Sequence, residues 1–302
     1  MTQTRRPRWA TFLLVLLPLW LVLSAGGALW YYFHREKKQA QVEQARFVQA
    51  VSVPLMADDL RKFVEIIGER NASSTTAAAN LSRTASMIEG LLGPGNTGYA
   101  VKKITGPADW PILQVTLTGK KPTASAVWIA TTYDSRMGSP GAEGNATGLA
   151  ATIAAAQALA ADTPAVSVQF IFLPHANDVD SPVLETAAKF QELLKSAGPV
   201  KAILCVEAMG AGESLWLTSR ETSASPLGLV SGLGTVYGAE VACLGEDTDL
   251  ASILFEMNFP AVRVATRAML TAGEKDDKLP FTPTVAAATG RLIELIRRCE
   301  VK

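Results

Sequence analysis

The chain has 302 residues, with 28 basic and 28 acidic side chains and a hydrophobic fraction of 48%. That length allows one large domain or two small ones, with enough apolar residues to fill a core. The charge is uneven. Arg5, Arg6, Arg8, Arg35, Lys37 and Lys38 against Glu36 give residues 1–38 a net +5 and the remainder −5, so the bulk of the chain lacks the basic face that binding nucleic acid calls for.

Trp9 to Phe33 carries no charge and is rich in Leu, Val and Trp. A helix of about 20 apolar residues spans a bilayer, and Trp30, Tyr31 and Tyr32 suit its far interface. The expectation is a short basic cytoplasmic tail (1–8), a transmembrane helix (9–33), a polar stalk (34–55) and a globular domain (56–302). The competing reading is a signal peptide cleaved near Leu23-Ser24-Ala25-Gly26-Gly27. The apolar run continues to Phe33, which favours a single-pass anchor with a cytoplasmic N-terminus. Either way the globular part is exported, to a periplasmic or extracellular space.

Within the domain, Leu60 to Arg70 places Leu60, Phe63, Val64 and Ile67 on one helical face. A second helix over Ser74–Leu92 stops at Gly93-Pro94-Gly95. Tyr99–Ile104 and Ile112–Thr118 alternate as strands, and Gly119-Lys120-Lys121-Pro122 turns. Val127–Thr131, Val166–Leu173 and Ala202–Val206 are near-continuous apolar runs, as expected of strands buried on both faces. Helices over Ala146–Ala161, Val183–Ser196, Thr248–Met257 and Thr284–Arg298 separate or follow them. This alternation predicts a three-layer α/β/α sandwich with a mixed, centrally parallel sheet. The strand ends at Thr132, Pro174 and Glu207 then converge on the edge where such sheets bind ligands.

Other chemistry is sparse. There is no G-x-S-x-G elbow and no Walker motif. Gly232-Leu233-Gly234-Thr235-Val236-Tyr237-Gly238 lacks dinucleotide-loop spacing and reads as a loop. Cys205, Cys243 and Cys299 form no CxxC pair. Cys205 reads as a small apolar strand residue, with a Cys205–Cys243 disulfide as the weaker alternative. His175 near Asp178 or Asp180 reads first as a hydrogen-bonded loop residue. Asn71, Asn80 and Asn145 head glycosylation sequons, a pattern common by chance.

The following segments, in chain order, carry a resemblance. Tyr133-Asp134-Ser135 follows a buried strand, and Gly141-Ala142-Glu143-Gly144-Asn145-Ala146-Thr147-Gly148 opens an Ala-rich helix. Phe170-Ile171-Phe172-Leu173 runs into Pro174-His175-Ala176-Asn177. Val206-Glu207-Ala208-Met209-Gly210, Glu246 to Val264, and Leu270-Thr271-Ala272-Gly273-Glu274-Lys275-Asp276-Asp277-Lys278-Leu279 complete the set. Together they resemble the M28 family of zinc aminopeptidases. The resemblance implies that fold, with metal ligands at Thr132, Gly144, Asn177, Glu207 and Leu270 and the general base at Ala176. Of these, only Glu207 retains a ligand carboxylate. Leu250 also stands where the family's Ser-Asp-His motif has His. The whole chain holds two His, His34 and His175, so the family's His pair cannot be rebuilt within the domain.

A catalytic zinc needs imidazole and carboxylate ligands, an open position for water, and a base to move the proton. The expectation is therefore no bound metal and no cofactor. Asp134, Glu143, Asn145, Asp178 and Glu274 remain as residual cleft polarity, with an oxygen-only cation site of Glu143, Asn145, Asp178, Glu207 and Glu274 as the weaker alternative. Asp134, which orients a zinc-binding His in the family, is expected here to brace its loop. The favoured function is a membrane-anchored pseudopeptidase that binds a protein or peptide, a role the family's fold is known to fill in receptor ectodomains. The alternative is a working M28-type metallo-aminopeptidase with an atypical metal site.

Overall fold

The structure, a computed structural model, describes residues 20, 24–35, 51–174, 183–219, 240–243, 249–267 and 275–301. The chain divides into two compact units, Met1–Arg46 and Phe47–Lys302. In the first, residues 24–35 are helical, and the Trp30 and His34 rings stack with centroids 5.2 Å apart. Residues 9–19 and 21–23 of the expected anchor lie outside the described residues. Among those described, no helix is long and apolar enough to cross a membrane.

The second unit opens with α1 (Val53–Arg61), which runs into a π-helical turn (Lys62–Ile67). The helix begins at Val53 rather than Leu60 because Ser52 caps it and Pro54 fills the first turn, where its missing N–H costs nothing. Gly68, at φ 78°, ends it, so Arg70 lies beyond the helix and not within it as the periodicity suggested. Next comes α2 (Thr75–Leu92), capped by Ser74, whose hydroxyl accepts the Ala77 N–H at 3.1 Å.

The sheet order among described residues is β1 (Lys102–Thr105), β2 (Pro111–Leu117), β4 (Val168–Leu173), β3 (Ala126–Thr132), β5 (Val200–Val206), β8 (Ala261–Ala265), β6 (Trp216–Ser219), β7 (Glu240–Cys243). The central run β4-β3-β5-β8 is parallel, and antiparallel pairs flank it at β1–β2, β2–β4 and β6–β8. This is the mixed, centrally parallel sheet expected. Patterning did not mark β6, β7 or β8, which are only four or five residues long; β8 also carries an arginine.

Side-chain alternation along the central strands builds two cores. Val127, Ile129, Phe170, Phe172 and Leu204 face one layer, where α1, α2, α3 (Thr147–Leu159) and α6 (Thr282–Val301) pack. Trp128, Ala130, Ile171, Ile203 and Cys205 face the other, against α4 (Val183–Ala197) and α5 (Leu250–Glu256). There the Trp128 and Phe190 rings meet at 5.7 Å and 61°. Cys205 is buried and takes part in no disulfide, so the Cys205–Cys243 alternative is not seen, and Cys299 is likewise buried and outside any disulfide.

Candidate functional site

A cavity of about 140 Å³ opens at the C-terminal ends of β3 and β5. Its wall includes Thr132, Gly144, Asn145 and Glu207, together with Arg136, Asp249, Arg263 and Asp276. Close packing brings the two sides together. A Cβ on Gly148 would sit 2.2 Å from the Glu207 carbonyl oxygen, so only glycine lets the start of α3 lie against the end of β5. The Thr147 hydroxyl donates to the Glu143 carbonyl at 2.6 Å and accepts the Met209 N–H at 2.8 Å, tying the loop after β5 to that helix. Thr131 ties β3 to β5 in the same way, through the Val206 carbonyl at 3.0 Å.

Beneath the wall lies Arg70, fully buried. Its guanidinium donates to the carbonyls of Phe63, Gly68 and Tyr133 at 2.8, 2.8 and 3.1 Å, and to Asn145 Oδ1 at 3.0 Å. Asn145 in turn donates to the Thr132 carbonyl at 2.8 Å and to its hydroxyl at 2.9 Å. The polar atoms at the end of β3 are thus held from below. Burial lowers the Arg70 pKa to about 10, with Asp134 and Asp276 opposing the shift, so it remains a cation at neutral pH. Glu69 braces the same loop, accepting the Gly138 N–H at 2.7 Å and the Asn71 amide at 2.9 Å.

On the other side of the cavity, Glu207 meets Arg263 of β8. Arg263 Nε donates to Glu207 Oε2 at 2.5 Å, and its Nη1 donates to the Arg267 carbonyl at 3.0 Å. The Arg263 side chain is 1% exposed and that of Glu207 28%. Burial raises the Glu207 pKa; Arg263 pulls it down, Asp249 adds to the rise, and Arg136 also opposes it. Asp249 caps α5, accepting the Ser252 N–H at 2.8 Å and its hydroxyl at 3.1 Å. Asp276 caps the turn that precedes α3 (Ala142–Ala146), accepting the N–H groups of Glu143 at 2.5 Å and Gly144 at 3.0 Å.

Several sequence-derived expectations change here. Asp134 is fully buried, and neither it nor Glu143 lines the cavity; Glu143 instead faces Arg267 at 3.6 Å. Of the oxygen-only set, the described Glu143, Asn145 and Glu207 each turn to a different partner. The three sequon asparagines are buried. His175, Ala176, Asn177, Asp178, Leu270 and Glu274 lie outside the described residues. Sequence reasoning missed Arg263, Asp249, Asp276 and Arg136. A lone arginine in the apolar run Ala261–Ala265 was the available signal, since charged residues are rarely buried unless paired.

Zinc requires imidazole, thiolate or carboxylate donors converging on one point. At the family's ligand positions the wall supplies a hydroxyl held by an amide at Thr132, no side chain at Gly144, and a carboxylate already bonded to a guanidinium at Glu207. Burial raises the Cys205 thiol well above its usual range, so it is no thiolate. Among the described residues, no group of three or more such side chains is spaced to hold a metal ion. These residues do not fit a catalytic zinc.

The sequence profile described as peptidase family M28 matches residues 113–273, more than half of the chain. The chain belongs to peptidase family M28. Its fold agrees with that of solved M28-like structures. Legionella pneumophila LapA matches with a TM-score of 0.70 at 17% identity, covering 87% of this chain and 77% of LapA. A leucine aminopeptidase precursor from Bacteroides thetaiotaomicron matches at 0.61 and 11% identity, covering 82% and 97%. Porphyromonas gingivalis glutaminyl cyclase matches at 0.58 and 13%, covering 82% and 98%. At these identities the likeness concerns the fold alone. Curated protein sequences gave no significant match.

Proposed function

We propose that this M28 protein is a membrane-anchored pseudopeptidase that binds a protein or peptide at its cleft or rim. The observation that carries the reading is the Glu207–Arg263 ion pair. The one carboxylate left at the ligand positions read from the family motifs is bonded to a buried guanidinium. A metal bound there would have to displace that cation. The substitutions at Thr132, Gly144, Asn177 and Leu270 remove the other donors, and Ala176 removes the base. The uncharged run from Trp9 to Phe33 supports anchoring, with the domain on the exported side.

The competing reading, a metallo-aminopeptidase with an atypical site, draws on family membership and on the aminopeptidases among the structural neighbours. One experiment separates them. The full-length protein, purified in detergent, is assayed for zinc by mass spectrometry and for release of N-terminal residues from peptides, with and without EDTA. The expected outcome is neither stoichiometric zinc nor chelator-sensitive release. Finding both overturns the pseudopeptidase reading.

A further inference from the structure

The acidic groups in the cavity wall are answered by the fold around it. Asp249 is engaged at the start of α5 and Asp276 at the backbone N–H groups of Glu143 and Gly144. Glu207 is answered by a side chain of the neighbouring strand. Arg263 is paired with Cys205 in the β5–β8 register, two residues before Glu207, and its guanidinium reaches along the strands to the Glu207 carboxylate.

Burying a guanidinium is costly, and a buried pair is seldom more stable than an apolar replacement. Arg263 therefore calls for a reason beyond general stability. The reason on hand is local. A carboxylate fixed at this strand end by the β5–α3 contact lies directly against the Arg263 guanidinium, which is 1% exposed.

We propose that Arg263 is a built-in replacement for a bound cation, its guanidinium occupying the place beside Glu207 and holding the ends of β5 and β8 together without metal. The proposal rests on the pseudopeptidase reading and extends it: the cleft is closed to metals by a side chain of its own, not merely stripped of ligands. Removing the guanidinium then leaves a cation-shaped vacancy facing a carboxylate.

The test is chemical rescue in the full-length chain, read by thermal unfolding. Arg263→Ala is expected to lower Tm by roughly 10 °C. Millimolar guanidinium chloride, compared with NaCl at equal ionic strength, then raises the Tm of this variant by several degrees. It moves neither the wild type nor the Arg263→Ala/Glu207→Gln double variant. Failure of guanidinium to rescue Arg263→Ala, or equal rescue of the double variant, overturns the proposal. If Arg263→Ala does not fold, Glu207→Gln, which keeps the shape and one acceptor oxygen, decides. A lowered Tm supports the pair, and a wild-type Tm overturns it. Zinc raising the Tm of the wild type instead sinks the pseudopeptidase reading, so the two failures are distinguishable.

Discussion

Two arginines, Arg70 and Arg263, are buried almost completely in this domain, and each meets the cost of burial differently. Arg70 is surrounded by neutral acceptors, three carbonyls and an amide oxygen, so its donors are satisfied while its charge is only partly answered. Arg263 meets a carboxylate directly. The first serves geometry, because one planar donor group reaches the π-helical turn and its end at Gly68, the loop after β3 and Asn145 together. The second serves charge balance. A third group offers a pH test. Burial raises the pKa of half-buried Asp59 on α1 to about 6, against the pull of Lys62. A carboxyl whose folded pKa is raised favours folding in its protonated form. Its contribution is full below pH 4, its ordinary range, and is lost as pH rises through about 6. With solvent screening allowed for, the amount is on the order of 1–2 kcal/mol. Asp59→Asn should abolish that component, so its urea midpoint changes less between pH 4 and pH 8 than that of the wild type. An unchanged pH dependence would count against the assignment.

The decisive contact between elements is the start of α3 against the end of β5. Thr147 and Gly148 make it, one by hydrogen bonds and the other by having no side chain. Gly148→Ala places a carbon within 2.2 Å of a backbone oxygen, where no flexible side chain can give way. It should destabilise by about 1–3 kcal/mol or more, as overpacking does. Gly90 is the control. It is exposed in α2, and a Cβ there meets nothing within 4 Å. Gly90→Ala should stabilise by up to about 1 kcal/mol through helix propensity. Thermal melts of the two variants should shift in opposite directions. A tolerated alanine at Gly148 would mean that the cavity wall is looser than the packing indicates.

For the whole molecule, the parallel centre of the sheet sets where the cavity forms. β3 and β5 are neighbours, both end at the same edge, and the loops that follow them carry Asn145 and Glu207. The N-terminal segment carries a separate expectation. Full-length protein should stay in the membrane pellet after alkaline carbonate extraction, and a chain lacking residues 1–35 should move to the supernatant. Extraction of the full-length chain would count against the anchor.

Much of this architecture was legible in the residues. Apolar runs such as Val127–Thr131 and Val166–Leu173 mark strands buried on both faces, found at Ala126–Thr132 and Val168–Leu173, because burial on both sides removes alternation. The ordered motifs likewise marked Thr132, Gly144 and Glu207, which follow or face strand ends. The short strands β6, β7 and β8 left too few residues for a pattern. The partners of Glu207, Asn145 and Gly144 were not legible either. Arg263, Arg70 and Asp276 lie 56, 75 and 132 residues away from them in the chain. Composition and periodicity report what a residue prefers and which face it occupies. Which charge answers which depends on strand order and helix packing, and only the folded chain decides that.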